Sequence, residues 1–168
     1  MASRRGRRRV EPDLGMLAAR LLNAVEAEMF GELARRGFTD IRPRHGAVLA
    51  YLTTEGVRAT ELGRLSGAHK QVIGNLIDEL ESLGYVARVS DPSDRRAKLV
   101  VPTARGQAQM DAADEIITAL DRRHSERMGA SAFESFRAEF GAVVDAQRAT
   151  ADSLEEWGNA PSREPYPG

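Results

Sequence analysis

Residues 60–101 read TELGRLSGAHKQVIGNLIDELESLGYVARVSDPSDRRAKLVV, and the changes of pattern inside them decide the fold. Thr60 is placed to cap a short helix over 61–65, and the small residues Ser66, Gly67 and Ala68 make a tight turn into a second helix. In that helix Ile73, Leu76, Ile77, Leu80 and Leu83 recur at spacings of three and four, which gathers them on one buried stripe. Gly84 stands where a left-handed C-terminal residue is wanted. The opposite face carries Lys70, Gln71, Gly74, Asn75 and Asp78. The period then shortens: 85–89 and 98–101 read as short strands on either side of a polar loop, Ser90-Asp91-Pro92-Ser93-Asp94-Arg95-Arg96. Two helices, a tight turn and a hairpin make a winged helix-turn-helix.

On the N-terminal side, Leu14, Leu17, Leu21, Val25, Met29 and Leu33 form one stripe of a helix that Asp13 caps and that ends near Gly37. Pro43 suits a first helical position and opens a helix through Ala47, Val48, Tyr51 and Leu52 to Gly56. Beyond the wing, Thr103 restarts a helix with Met110, Ile116, Ile117, Leu120 and Met128 that ends at Gly129. Ser131 and Glu134 match a capping box ahead of a long apolar series, Phe133, Phe136, Phe140, Val143, Val144, Ala151, Leu154 and Trp157. The first and last helices carry more apolar surface than a winged lobe of about fifty residues can cover, so they are expected to pack on a second copy of themselves. The expected architecture is mainly α with a small β-hairpin wing. It comprises a basic arm (1–12), a dimerisation helix and its follower (13–56), the DNA-binding lobe (57–103), C-terminal dimerisation helices (104–157) and a Pro/Gly-rich tail (158–168).

The chain has 168 residues, 24 Lys+Arg against 25 Asp+Glu, and no cysteine. This is the length of one domain able to bury a core unaided, and the absence of cysteine excludes disulfide frameworks, cysteine-ligated metals and thiol redox sensing. No apolar run approaches the ~20 residues of a membrane span, so a cytoplasmic protein is expected. The formal net charge of −1 hides segregation: residues 1–10 carry +5 and 57–106 carry +2, while the intervening and C-terminal stretches are acidic. The twin arginine of the arm is not followed by the apolar segment of an export signal, because Glu11, Asp13, Arg20 and Glu26 interrupt it. The arm reads as a solvated tail, either inert or a nonspecific phosphate binder.

A recognition helix must bury one face and present base-reading side chains from its first turn on the other. Gln pairs bidentately with adenine and Lys with the guanine acceptors, so Lys70 and Gln71 are the candidate base readers, at roughly 1–3 kcal/mol of discrimination each. Asn75, one turn on, is in reach of a base or a phosphate, and Gly74 between them lets the helix lie close to DNA. Arg95 and Arg96 are the wing's candidates for a narrow, strongly negative minor groove. One of the two is expected to enter it while the other is held by Asp91 or Asp94. The bland alternative is an ordinary solvated helix face and a surface ion pair.

The run Thr60-Glu61-Leu62, the helix from Lys70-Gln71 through Leu76-Ile77-Asp78-Glu79-Leu80-Glu81-Ser82-Leu83-Gly84-Tyr85-Val86, the wing Asp91-Pro92-Ser93-Asp94-Arg95-Arg96-Ala97-Lys98-Leu99-Val100 and the sequel Thr103-Ala104-Arg105-Gly106 closely resemble the MarR family of transcriptional regulators. The resemblance covers about residues 14–155 and is strongest over 57–106. It implies a homodimer with two winged lobes on double-stranded DNA of pseudo-palindromic sequence, and repression relieved by a small aromatic or anionic effector. It places Lys70, Gln71 and Asn75 on the recognition helix and Arg95 or Arg96 at the wing tip, braced by Asp94. Two positions depart from the family's usual pattern. His69 stands where many relatives have a Ser or Thr cap, which directs it toward phosphate, and Asn75 stands where many have Arg.

His45, His69 and His124 are far apart in sequence and lack metal-ligand spacing; there is no phosphate loop and no nucleophile elbow, so neither an enzyme nor a cofactor is expected. A winged-helix module used only for protein contacts is the rival reading. Arg44 and His45, at the start of the second helix, are the candidate effector site, since cationic groups and free N–H groups there suit an anion. The alternative pairs Arg44 with Asp40 or Glu55 and packs His45 in a polar seam.

Overall fold

In a computed structural model the chain is described over residues 11–158, the side chains of Arg95 and of 152–158 excepted. The basic arm, apart from its last two residues, and the tail beyond Gly158 lie outside the described residues. The elements run α1 (Leu14–Arg35), a 3-10 turn (Pro43–His45), α2 (Gly46–Leu49), β1 (Val57–Arg58), α3 (Ala59–Ser66), α4 (Lys70–Ser82), β2 (Val86–Asp91), β3 (Asp94–Pro102), α5 (Ala104–Met128) and α6 (Ala130–Gly158). They form two compact units, one ending at Thr118 and the other beginning at Ala119.

In the first unit the stripe of α4 supplies the centre of the core. Ile73, Leu76, Ile77 and Leu80 are buried with Val48, Leu49 and Leu52 around α2, Leu62 of α3, and Tyr85, Val86 and Val100 of the wing. Asp13 caps α1 by accepting the Met16 N–H at 2.9 Å. Ser66 closes the turn after α3, accepting the Ala68 N–H at 3.2 Å and donating to the Leu62 carbonyl at 2.7 Å. Gly84, with φ of +78°, takes the left-handed position that ends α4. Thr103 opens α5, accepting the Gly106 N–H at 3.1 Å and donating to the Gly84 carbonyl at 2.6 Å. Gly106 sits under the strand: a Cβ there would lie 1.9 Å from the Tyr85 carbonyl oxygen, so only glycine lets α5 approach β2 this closely.

Four local expectations are corrected. The helix opened by Pro43 does not reach Gly56; α2 stops at Leu49, and the β-branched pair Thr53 and Thr54 leads into a turn closed by the Gly56 N–H on the Thr53 carbonyl. Thr60 is not a cap, because α3 already begins at Ala59. The Ser131–Glu134 box is not formed either: α6 begins at Ala130, right after Gly129, whose carbonyl accepts the Phe133 N–H at 3.0 Å. Finally, the wing is a three-stranded antiparallel sheet in the order β1-β3-β2, with Val57 opposite Val100 and Arg58 opposite Leu99.

The hairpin is tighter than its polar composition implies. Asp91 pairs with Asp94 across the two-residue turn Pro92-Ser93, so Arg95 and Arg96 belong to β3 rather than to a loop. The next pair is Ser90 with Lys98, which leaves 95–97 without cross-strand partners in an irregularity of the bulge kind. Such bulges re-aim side chains at the end of a hairpin.

Apolar side chains stay uncovered on both long terminal helices. On α1, Leu14, Leu17, Leu21 and Leu22 are exposed, and Leu33 alone of its stripe is buried. In the second unit Phe133 is buried and stacks with His124, whereas Phe136, Val143 and Val144 of α6 are exposed. No helix among the described residues is long and apolar enough to cross a membrane.

Candidate nucleic-acid interface and apolar cavity

The outward face of α4 begins at His69. Its Nδ1 accepts the Gln71 N–H at 3.3 Å, so His69 does serve as the N-cap. Lys70, Gln71 and Asn75 are all exposed. Gln71 Nε2 donates to Asn75 Oδ1 at 3.2 Å, which joins the two amides one turn apart into a single hydrogen-bonding edge. Apart from the adjoining backbone of α4 itself, nothing among the described residues lies within 4 Å of the position a Cβ would occupy on Gly74, so the space between those amides and Lys70 is open. Asp78, the acid on this face, is paired with Arg88 of β2, which also binds Glu81. Its charge is therefore largely neutralised by the protein itself.

Sequence reasoning missed Val72. It flanks Asn75, one helical turn before it, and is 49% exposed in the first turn of α4, where an apolar residue has no packing role. The available signal was its position, one residue outside the buried stripe.

Wing support also differs from expectation. Asp91 does not hold Arg96; its buried carboxylate accepts the Ser93 N–H at 2.8 Å and the Ser93 hydroxyl at 2.7 Å through Oδ1, and Arg58 Nε at 2.7 Å through Oδ2. The two Ser93 bonds, then Arg58, hold its carboxyl down at about 2. Asp94 accepts the Arg96 N–H at 3.0 Å, bracing the start of β3 through the backbone. The Arg96 side chain is exposed and has no ion-pair partner among the described residues.

Arg44 and His45 do not form an open anion site. Arg44 binds Glu79 of α4 side-on, through Nε, which donates to Oε2 at 3.1 Å, and through Nη2, which donates to Oε1. His45 is fully buried; its Nδ1 accepts the Arg42 N–H at 3.1 Å, and its Nε2 lies 3.2 Å from Glu79 Oε2, off the line of a straight hydrogen bond. Arg44, and after it His45, hold the Glu79 carboxyl down at about 2. With its charge matched, Arg44 has little left for a ligand anion.

A cavity of about 430 Å³ lies instead beside that seam, between α1, α2 and α5. Met29, Phe30 and Leu33 of α1, Leu49 and Ala50 at the end of α2, and Met110 and Ile117 of α5 are among its apolar walls. Gln109 and Asp114 of α5 are the polar side chains that line it. Neither Arg44 nor His45 does. Among the described residues no cluster of His, Asp or Glu is placed to hold a metal ion.

A family model described as MarR family matches residues 31–97, the stretch from the end of α1 to the bulge of β3. Over that stretch the chain is similar to the MarR family. The HTH-type transcriptional regulator YcgE of Bacillus subtilis is 48% identical over 44 residues, which span 26% of this chain and 29% of that protein's length. The HTH-type transcriptional repressor Rv2887 of Mycobacterium tuberculosis is 27% identical over 124 residues, 74% of this chain and 88% of the repressor. Among solved structures, CouR of Rhodococcus jostii RHA1 bound to p-coumaroyl-CoA is 29% identical with a TM-score of 0.59, covering 90% of this chain and 96% of CouR. The MarR relatives are thus transcriptional regulators, and the winged fold is shared with them.

Proposed function

We propose that this chain is a MarR-family, sequence-specific DNA-binding repressor that acts in the cytoplasm as a homodimer on a pseudo-palindromic operator and responds to a small effector. The observation that carries the reading is the outward face of α4: Lys70, the joined amides of Gln71 and Asn75, and an open space over Gly74, next to a wing whose tip is fastened from inside by Asp91. Protein-only docking gives no reason for two linked amides around a gap; major-groove reading does. In this reading Gln71 and Lys70 read base edges, Val72 meets a thymine methyl group, and Arg95 or Arg96 reaches the minor groove. His69 caps the helix and offers its remaining ring nitrogen to phosphate. Leu14, Leu17 and Leu21 of α1, and Phe136, Val143 and Val144 of α6, are the apolar surfaces a second copy would cover. The effector site is the cavity between α1, α2 and α5.

The test is selection of bound fragments from the genome, followed by gel shift with the recovered sequence. Two half-sites about one helical turn apart, roughly 10 bp, are expected. Gln71→Ala should relax base preference at one position in each. Recovery of fragments with no common sequence, or an even weakening by Gln71→Ala on every sequence, would overturn the reading.

A further inference from the structure

We propose that the cavity takes an apolar amine: a ligand with a hydrocarbon or aromatic body and a protonated, hydrogen-bond-donating nitrogen. The proposal rests on the reading of this cavity as the effector site and names the chemistry that site accepts. At about 430 Å³ the space suits a small organic molecule, and its walls are mostly aliphatic. What selects the polar end of the guest is the pair of polar side chains on α5. Gln109 is 3% exposed, and its Oε1 is sealed from solvent without a hydrogen-bond partner. A buried acceptor left unpaired carries a cost that a donor from a ligand removes.

Asp114 lines the same cavity from an exposed position, with no hydrogen bond or ion pair to the other described residues. Whichever way the Gln109 amide is turned, an ionised Asp114 has only acceptors to offer. Among the described residues no Arg, Lys or His lines the cavity, and the cations next to its walls in the chain are already engaged: Arg36 with Glu115 and Glu32, Arg42 with the Thr39 and Ile41 carbonyls, Arg44 with Glu79. A carboxylate guest would lose its hydration beside a like charge and gain no counter-charge. An ammonium group meets an anion at Asp114 and an acceptor at Gln109, and leaves its apolar body to the walls.

Titration calorimetry of the full chain with three molecules of one shape, 3-phenylpropylamine, 3-phenylpropanol and 3-phenylpropanoate, tests this at neutral pH. The amine should bind at least tenfold more tightly than the carboxylate, with the alcohol between them. Asp114→Asn, at an exposed position, should bring the amine down to the level of the alcohol and leave the alcohol unchanged. Gln109→Leu should weaken amine and alcohol together. Carboxylate binding equal to or tighter than amine binding would overturn the proposal, as would an amine preference that survives Asp114→Asn. Ala113→Trp fills the cavity and should abolish binding of all three. If it does not, or if none of the three binds the unaltered protein, the cavity is not the effector site and the reading beneath the proposal fails with it.

Discussion

Asp91 at the tip of the wing receives Arg58 of β1 from 33 residues earlier, with Arg58 Nε donating to Asp91 Oδ2 at 2.7 Å. The same carboxylate closes the Pro92-Ser93 turn through its other oxygen, so one buried side chain fixes both the bend of the hairpin and its attachment to the edge strand. Asp91→Asn should keep the fold of the lobe and free the tip, seen as faster amide exchange at Ser93 and Arg96 and weaker operator binding. Unchanged exchange would show that the turn closes without the charge.

The pH dependence of this brace has a definite sign. A carboxyl lowered to about 2 in the folded chain and near 3.9 when unfolded stabilises the fold fully above about 4, and that contribution is lost as pH falls through about 2. The carbon-13 shift of the Asp91 carboxyl should therefore titrate near 2. Ser93→Ala should raise the midpoint more than Arg58→Ala does, because the serine bonds are the larger cause. A midpoint near 4 in the unaltered protein would dismiss the brace.

Two glycines should respond to alanine in opposite directions. Gly106→Ala puts a methyl group against the Tyr85 carbonyl and should destabilise the lobe by about 1–3 kcal/mol in urea melts. Gly74→Ala meets nothing and should stabilise it by about 0.5–1 kcal/mol while weakening operator binding. A Gly74→Ala protein that binds DNA as before would place the helix farther from the bases than proposed.

Val72 can be examined by removing the methyl group from the DNA side. Replacing the contacted thymine by deoxyuridine should cost the unaltered protein about fourfold in affinity, the worth of one buried methyl group. Val72→Ala should make the protein indifferent to that replacement. Equal sensitivity in both proteins at every thymine would remove Val72 from the readout.

Leu17 and Leu21 are half exposed on α1, and Leu17→Glu with Leu21→Glu should turn a dimer into monomers by sedimentation while the helical circular dichroism of the lobe is kept. A dimer that survives would assign self-association to α6 or exclude it from this face.

The helix-turn-helix was legible in the sequence because its determinants are local. The stripe from Ile73 to Leu80, the small-residue turn at 66–68 and Gly84 each act within one or two turns of helix. What escaped was set at a distance. A two-residue strand such as Val57-Arg58 has no alternation to read, and Arg58 gains its role only when β1 lies beside β3. Asp91 was singled out, but its partner was sought among its neighbours in the chain. Ser131 and Glu134 show the converse: a good local signal is silent when the helix already begins at Ala130, after Gly129, two residues before a cap at Ser131 would start it. Gln109 looked like any polar residue on a long helix until α1 and α2 enclosed it.

Glu79 belongs to α4, the proposed recognition helix, yet the groups it holds, Arg44 and His45, immediately precede Gly46, the first residue of α2 and part of the cavity wall. A guest that displaces α2 must therefore work against the Glu79 contacts, and a helix seated in DNA holds them in place. Linkage then imposes a symmetry on the two occupants: whatever factor the effector takes from operator affinity, the operator takes from effector affinity. A calorimetric titration of the effector with and without operator reads that factor from the cavity side, and it must agree with the one read from the DNA side.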